Sequence, residues 1–254
     1  MKQRKWLFYI TLISLLLGIL ICYRLSNLLG DEQVTELSSD EEYYAINPDT
    51  ILDKLTQGNT DVFTPLESTP EATSITTSKP VQWSQTDYVR IEMALQKLVW
   101  GKPLEDWNFE KALFRLDCAE ASSGPQRAYF TYFKIVQSSE RESLIERELW
   151  IEPYKNSASW HEVVYSPNVW DQQSIDSSRI IIPVEEALKI AEQNGGFEAR
   201  SAVKDDCVIY LLLAPGSKYG DWQVWYSEGK ITFLFEINID SFTGNYHIVS
   251  SKTK

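Results

Sequence analysis

From about Val81 onward, apolar side chains recur at two different periods, and each period predicts a different kind of element. Helical spacing follows Ser84, which stands at the capping-box distance from Asp87. The apolar positions of this first helix are Tyr88, Ile91, Leu95, Leu98 and Val99. A second helix is predicted from Pro183, with an acidic first turn, to a stop at the glycine pair 195–196.

Alternation of apolar and polar residues predicts strands after each helix. The predicted strands are Ala112–Cys118, Ala128–Val136, Ile145–Ile151, Trp160–Tyr165, Ala199–Val203, Val208–Leu213, Trp222–Tyr226, Ile231–Ile239 and Tyr246–Val249. The alternation is clearest at Phe233, Phe235 and Ile237, with Leu234 as an exception on the polar side. One face of this strand is therefore expected on a core and the other in water.

This order of elements predicts the fold class. Helix then strands, followed by helix then strands, with short connections, favours antiparallel sheets with helices across one face. We expect an α+β fold made of two similar helix-plus-antiparallel-sheet halves, residues 81–175 and 176–254.

The N-terminus has the pattern of a membrane anchor. Trp6–Tyr23 are eighteen consecutive residues without charge, which as a helix span ~27 Å against a hydrocarbon thickness of ~30 Å. Basic residues precede the run, so residues 1–5 are predicted to be a cytoplasmic tail and the rest to be extracytoplasmic. The alternative is a cleaved signal peptide. Its cleavage site would need small residues, and the chain has no such pair before Arg24. The expectation is a single-pass protein of the cell membrane that contacts the lipid bilayer through Trp6–Tyr23.

Residues 24–80 are predicted to be an acidic tether rich in Ser, Thr and Pro, because few large apolar residues occur there to form a core. The exception is a short amphipathic helix near 49–57, which ends at Gly58.

The formal net charge of the whole chain is −12. Nucleic acids and anionic headgroups are bound by clustered Lys and Arg, so neither is an expected partner.

The cysteine and histidine pattern predicts no metal site and no cofactor. Cys118 and Cys207 are candidates for a disulfide, and two buried free thiols are the alternative. No Cys-x-x-Cys occurs, and His161 and His247 are far apart in the sequence.

The segment from Ile182 to Val249 resembles a known family. Its likeness is carried by the stretch Pro183–Ala191, by Asp221–Tyr226 and by Ile237–Tyr246. These resemble the helix, the "W-x-V" strand and the "D-x-x-TG" turn of the PepSY family, small cystatin-like α+β modules found in protease propeptides and membrane-associated bacterial proteins. The resemblance implies a noncatalytic module that binds or restrains a protein.

The last of these motifs has a physical explanation of its own. Asp240 can accept hydrogen bonds from turn N–H groups beside Thr243, and Gly244 tolerates a positive φ. All three are expected to be structural turn residues.

No motif predicts catalysis. Gly216–Gly220 lacks the spacing of a nucleophile elbow. The pairs Glu185/Glu186 and Asp205/Asp206 are adjacent, so their side chains diverge. Both histidines lie in predicted strands.

Among the tryptophans, Trp225 is the candidate ligand contact, because it lies on the opposite strand face from Trp222, Val224 and Tyr226. It could form an aromatic platform for a ligand together with Trp150, Trp160, Trp170 and Trp222. The alternative is that these tryptophans pack in the core.

Together these features predict a membrane-anchored, noncatalytic extracytoplasmic domain that binds or regulates a protein or cell-envelope partner. The alternative is an extracytoplasmic hydrolase acting on envelope material.

Overall fold

The structure is a computed structural model that describes residues 36–67, 81–137, 142–165, 173–216, 219–229 and 232–251. The strands are β1 (Glu36–Ala45), β2 (Thr64–Leu66), β3 (Asn108–Asp117), β4 (Arg127–Gln137), β5 (Glu142–Glu152), β6 (Ser157–Tyr165), β7 (Val208–Ala214), β8 (Asp221–Glu228), β9 (Thr232–Asp240) and β10 (Tyr246–Ser251). The α-helices are α1 (Ile51–Thr56), α2 (Gln85–Trp100), α3 (Val184–Ala191) and α4 (Phe197–Ala202).

All ten strands belong to one antiparallel sheet in the order β10-β9-β8-β7-β3-β4-β5-β6-β1-β2. Two meanders, β3 to β6 and β7 to β10, meet edge to edge where β3 pairs with β7, with Phe114 opposite Leu211. Cys118 and Cys207 lie at the end of this central pair, where the Cys118 N–H donates to the Cys207 carbonyl at 2.9 Å.

The predicted α+β fold of two helix-plus-sheet halves is contradicted. The described residues form mainly one ten-stranded antiparallel sheet, with few helices. This sheet continues without interruption across the boundary predicted near residue 175. The β3–β7 pairing that joins the meanders is made by backbone N–H and C=O groups. Every residue except proline has both groups, so the apolar pattern does not reveal which strand edges will pair.

Part of the predicted tether also lies in the sheet. β1 pairs with β6 from Glu36 to Ala45, and β2 pairs with β1. β1 is mainly polar and exposed, and only its end at Tyr44 is buried, so it lacks the alternation by which strands are predicted. The short helix near 49–57 is observed as α1, with Ile51 in the core.

The segment predicted as the strand Ala199–Val203 is helical instead, and forms most of α4. Gly195 takes a φ of +123°, while the next residue, Gly196, returns to a helical φ of −63°. Helical geometry is therefore interrupted at Asn194 and Gly195, where the sequence predicts the stop, and the separate helix α4 begins directly after Gly196.

Strand β9 departs from the predicted alternation. A register shift between Tyr226 and Ser227 of β8 leaves Leu234 buried and Phe233 half exposed at 50 %. A bulge of this kind reverses the inward and outward sides beyond it, which explains why Leu234 does not follow the pattern.

The prediction of a single-pass protein in the cell membrane is corrected. In the part of the chain that the structure describes, no helix is long and apolar enough to cross a bilayer. The longest of these, α2, has 16 residues and carries charges at Arg90, Glu92 and Lys97. The predicted span Trp6–Tyr23, the tail 1–5 and residues 24–35 lie outside the described residues.

The helices cover one face of the sheet. In α2 the predicted capping box is confirmed: the Ser84 side chain accepts from the Asp87 N–H, and the Asp87 carboxylate accepts from the Ser84 N–H at 2.9 Å. The core beneath the helices includes Tyr88, Ile91 and Leu95 of α2, Val184 and Ala187 of α3, and Phe114, Leu149, Leu211, Trp222, Val224 and Ile237 of the sheet. The opposite face, which no helix of the described residues covers, carries the side chains of the alternate positions.

Candidate functional site

A row of charged and aromatic side chains crosses the helix-free face at one level of the sheet. Its members, which we call the open-face row, are Glu152, Arg127, Arg115, Tyr210, Trp225 and Glu236, from β5, β4, β3, β7, β8 and β9 respectively. Neighbours from Arg127 to Glu236 are register partners, and Arg127 forms an ion pair with Glu152. At a strand spacing of about 4.8 Å the row spans roughly 24 Å.

Two arginines stand directly opposite each other in this row. Arg115 and Arg127 are register partners on β3 and β4, and like charges in that position repel. Arg127 is balanced by Glu152 and by a hydrogen bond to the Tyr154 hydroxyl. Arg115 has a longer ion pair, 3.8 Å to Asp117. The Nε atoms of both arginines are buried without a hydrogen-bond partner among the described residues.

Aromatic rings flank the arginine pair on both sides. Tyr210 and Trp225 are stacked with ring centroids 5.3 Å apart. On the other side the Arg127 guanidinium lies 5.8 Å from the Trp150 ring centroid and 5.6 Å from that of Tyr154. These contacts hold planar groups in fixed orientations on a sheet face.

The tryptophans predicted as a set do not form one platform. Trp225 is half-buried on the helix-free face, whereas Trp222 is fully buried in the core and donates its indole N–H to the Ile182 carbonyl at 2.8 Å. Trp160 packs edge-to-face against Trp100, with centroids 5.7 Å apart. Trp150 is on the same face as Trp225, and Trp170 lies outside the described residues.

A second feature lies on the helix-covered face, where residues of α2, β3 and β4 line a cavity of about 480 Å³. Its polar lining includes Glu92, Gln96 and Tyr132. The Glu92 carboxylate accepts hydrogen bonds from the side chains of Gln96 and Tyr132. Burial raises the pKa of Glu92 from an ordinary 4.5 to about 7, and the two hydrogen bonds oppose that rise.

Glu146 is another carboxyl group with a raised pKa, on the opposite face of the sheet. Its register partners are Phe133 on β4 and Val163 on β6, both buried. Burial, followed by repulsion from Glu110, raises the pKa of Glu146 to about 7. Glu92 and Glu146 therefore lie on different faces and do not converge on one substrate.

Other residues singled out in the sequence take structural positions. Cys118 and Cys207 form a disulfide with Cα atoms 5.2 Å apart. In the turn after β9 the Asp240 carboxylate accepts from the Thr243 N–H at 2.6 Å, and Gly244 has a φ of +74°.

The acidic pairs and the histidines are also separated from one another. Glu185 accepts from the Gln85 N–H at 2.5 Å, and Glu186 pairs with Lys189 at 3.0 Å. Asp205 pairs with Arg200 at 2.6 Å. His161 lies in β6, 3.6 Å from Glu148, while His247 is on the exposed edge strand β10. Ser217 and Lys218 of the glycine-flanked loop lie outside the described residues.

Sequence reasoning singled out Trp225 but missed the rest of the open-face row, and it missed the cavity for a different reason. Arg115 and Arg127 are separate polar positions of two strands, and only the register brings them together. For the cavity a signal existed: Glu92 and Gln96 lie one helical turn apart beside Ile91 and Leu95, on the apolar side of α2.

Comparison of the chain with protein-family models, with curated proteins and with solved structures finds no match.

Proposed function

We propose that this chain is a noncatalytic domain that binds a protein partner across the helix-free face of its sheet, with the open-face row at the centre of the contact. The observation that carries this proposal is the juxtaposition of Arg115 and Arg127 between two groups of aromatic rings. Six different strands contribute to this surface.

The residue types support a protein as the partner. Trp, Tyr and Arg are the residues most enriched among those that dominate binding energy at protein interfaces. Their planar groups here are already oriented by stacking, so little conformational entropy remains to be lost on binding.

The arginine pair supports an acidic segment of the partner. A guanidinium recognises a carboxylate through two parallel hydrogen bonds, and the side chains of Arg115 and Arg127 are 34 % and 22 % exposed. A carboxylate placed between Arg115 and Arg127 would also relieve the repulsion between them.

The resemblance of residues 182–249 to PepSY modules supports the same class of function, since it implies binding or restraint of a protein without catalysis. The alternative of a hydrolase is less well supported, because Glu92 and Glu146, the two carboxyls with pKa values raised to about 7, lie on opposite faces.

The experiment that tests the proposal is site-specific photo-crosslinking in cells that express the full chain. A photoreactive residue at position 225 should yield a discrete cross-linked protein. The same residue at position 197 is the matched control, because Phe197 is exposed at 52 % on α4, on the other face. Equal yields at 225 and 197 would contradict the proposal.

A charge reversal adds specificity to this test. Arg115→Glu should abolish the cross-link from position 225, while Lys97→Glu, an equal reversal at an exposed position of α2, should leave it unchanged. Circular dichroism of both purified variants checks that they are folded. A folded R115E variant that still cross-links would exclude a role for the arginine pair.

A further inference from the structure

The cavity beneath α2 is separate from the proposed binding face, since it opens on the helix-covered side of the sheet. Its volume of about 480 Å³ falls within the range of small-molecule sites. It is bounded by α2, by the loop 103–107 that leads into β3, and by strands β3 and β4.

The apolar part of this lining is large and partly aromatic. It is formed mainly by Leu104, Trp107, Phe109, Phe114, Phe130 and Ile180. Such walls exclude water and favour the apolar body of a ligand.

The polar part of the lining is organised around one acceptor. The Gln96 side chain donates to Glu92 and accepts from the Leu104 N–H at 2.7 Å, so both its amide nitrogen and its amide oxygen already have hydrogen-bond partners. Tyr132 also bonds to Glu92. An ionised carboxylate has about four acceptor positions, of which these contacts use two. Glu92, only 2 % exposed, therefore retains acceptor capacity at the cavity.

The charged residues around the cavity indicate the sign of the charge that a ligand should carry. Glu92 and Glu105 are the charged side chains in its lining as the structure describes it, and both are acidic. Two basic groups lie next to the lining and both are paired: Arg147 packs 4.0 Å from the Trp107 ring centroid and pairs with Glu162 at 2.6 Å, and Arg179 pairs with Asp176 at 3.7 Å. An anionic ligand would meet no cation among the described lining residues, whereas a cationic one would meet Glu92 and aromatic rings.

We propose that this cavity binds a small amphipathic amine, with its ammonium group on the Glu92 carboxylate and its apolar body among Trp107, Phe109 and Phe130. This site is independent of the proposed protein-binding face, and either can exist without the other.

The proposal implies a defined pH dependence. A bound ammonium stabilises the ionised carboxylate, whereas protonation of Glu92, whose pKa burial raises to about 7, removes the attraction. Tyr132 on β4 is hydrogen-bonded to Glu92, Glu105 in the loop lines the same cavity, and Arg147 of β5 lies behind Trp107. Amine affinity should therefore rise between pH 6 and pH 8.

The test is isothermal titration calorimetry on the full chain with three probes of nearly equal shape: tryptamine, its neutral analogue tryptophol and the anion indole-3-acetate. At pH 8 tryptamine should bind at least tenfold more tightly than tryptophol, and indole-3-acetate should show no binding. Equal binding of all three, or no binding of tryptamine, would overturn the proposal.

Two variants assign the binding to this site. In Glu92→Gln the preference for tryptamine over tryptophol should disappear, whereas the exposed Glu198→Gln should keep it. Val89 lines the cavity on the α2 side, so Val89→Trp narrows the cavity without altering the Glu92 carboxylate. This variant should bind both tryptamine and tryptophol more weakly. If E92Q does not fold, an unchanged tryptamine affinity in V89W contradicts the site. Cross-linking from position 225 should be unaffected in both variants, so the two proposals can fail separately.

Discussion

The rings of Tyr210 and Trp225 stack across the β7–β8 pair with an interplanar angle of 18° and centroids 5.3 Å apart. The two residues are register partners, and the row continues to Arg115 on one side and Glu236 on the other. This pair is the stacked aromatic part of the open-face row. It therefore offers direct tests of both packing and binding.

A double-mutant cycle should detect this stacking as coupling. Tyr210→Ala and Trp225→Ala together should cost about 0.5 to 1.5 kcal/mol less than the sum of the single losses, because either substitution alone already removes the ring–ring contact. Urea unfolding measures the three variants. A cycle between Trp225 and the exposed Tyr246, on the edge strand β10, is the control and should show no coupling.

Removal of the disulfide should destabilise the fold substantially. Cys118 and Cys207 are separated by 89 positions, and a loop of that length predicts a loss of roughly 4 kcal/mol or more in the free energy of unfolding from chain entropy alone. The double variant Cys118→Ala/Cys207→Ala should show this loss in denaturant unfolding, and a reductant should reproduce most of it in the native chain. A loss below about 1 kcal/mol would mean that the central β3–β7 pair does not depend on the bond.

Arg147 should not tolerate replacement by lysine. Its guanidinium lies 4.3 Å from the Trp100 ring centroid and 4.0 Å from that of Trp107, and its Nε is 2.6 Å from Glu162. A lysine ammonium cannot stack between two rings, so Arg147→Lys should lower the unfolding free energy by about 1 to 2 kcal/mol. Arg90→Lys, at an exposed position of α2, should change it by less than about 0.5 kcal/mol. Equal effects of the two substitutions would rule out a special role for the stacked guanidinium.

Glu92 should make stability depend on pH in a predictable direction. Its pKa is about 7 in the folded state against an ordinary 4.5, so the folded chain binds more protons than the unfolded chain between those values. Stability must then fall as pH rises through this window. The full shift corresponds to about 3 kcal/mol as an upper figure.

Chemical denaturation of native chain and Glu92→Gln at pH 5 and pH 8 measures this effect. The native chain should lose more stability than E92Q between the two values, and Glu146, unchanged in both, cancels from the difference. The same loss in both proteins would show that Glu92 does not titrate in the window.

Local sequence patterns were sufficient to predict several helices and strands. The helix at Ser84 begins with the capping box that its spacing predicts, and the strand at Trp222 buries alternate residues while leaving Trp225 on the other face. Both depend on interactions between residues within four positions of one another, or on the two-residue period of a strand. The strand β1 was missed because its sequence is polar at most positions and its pairing depends on β6.

The hydrophobic and polar periods of this chain determined where most helices and strands lie and which side of each faces a core, because these are local properties of the side chains. The tertiary structure decided the rest. The β3–β7 pairing joins the meanders through backbone hydrogen bonds, which the pattern of side chains does not predict. It also places Arg115 between Arg127 and Tyr210, and so creates the open-face row from residues that are distant in sequence. Likewise, Glu92 is buried against Tyr132 only because α2 packs across the sheet.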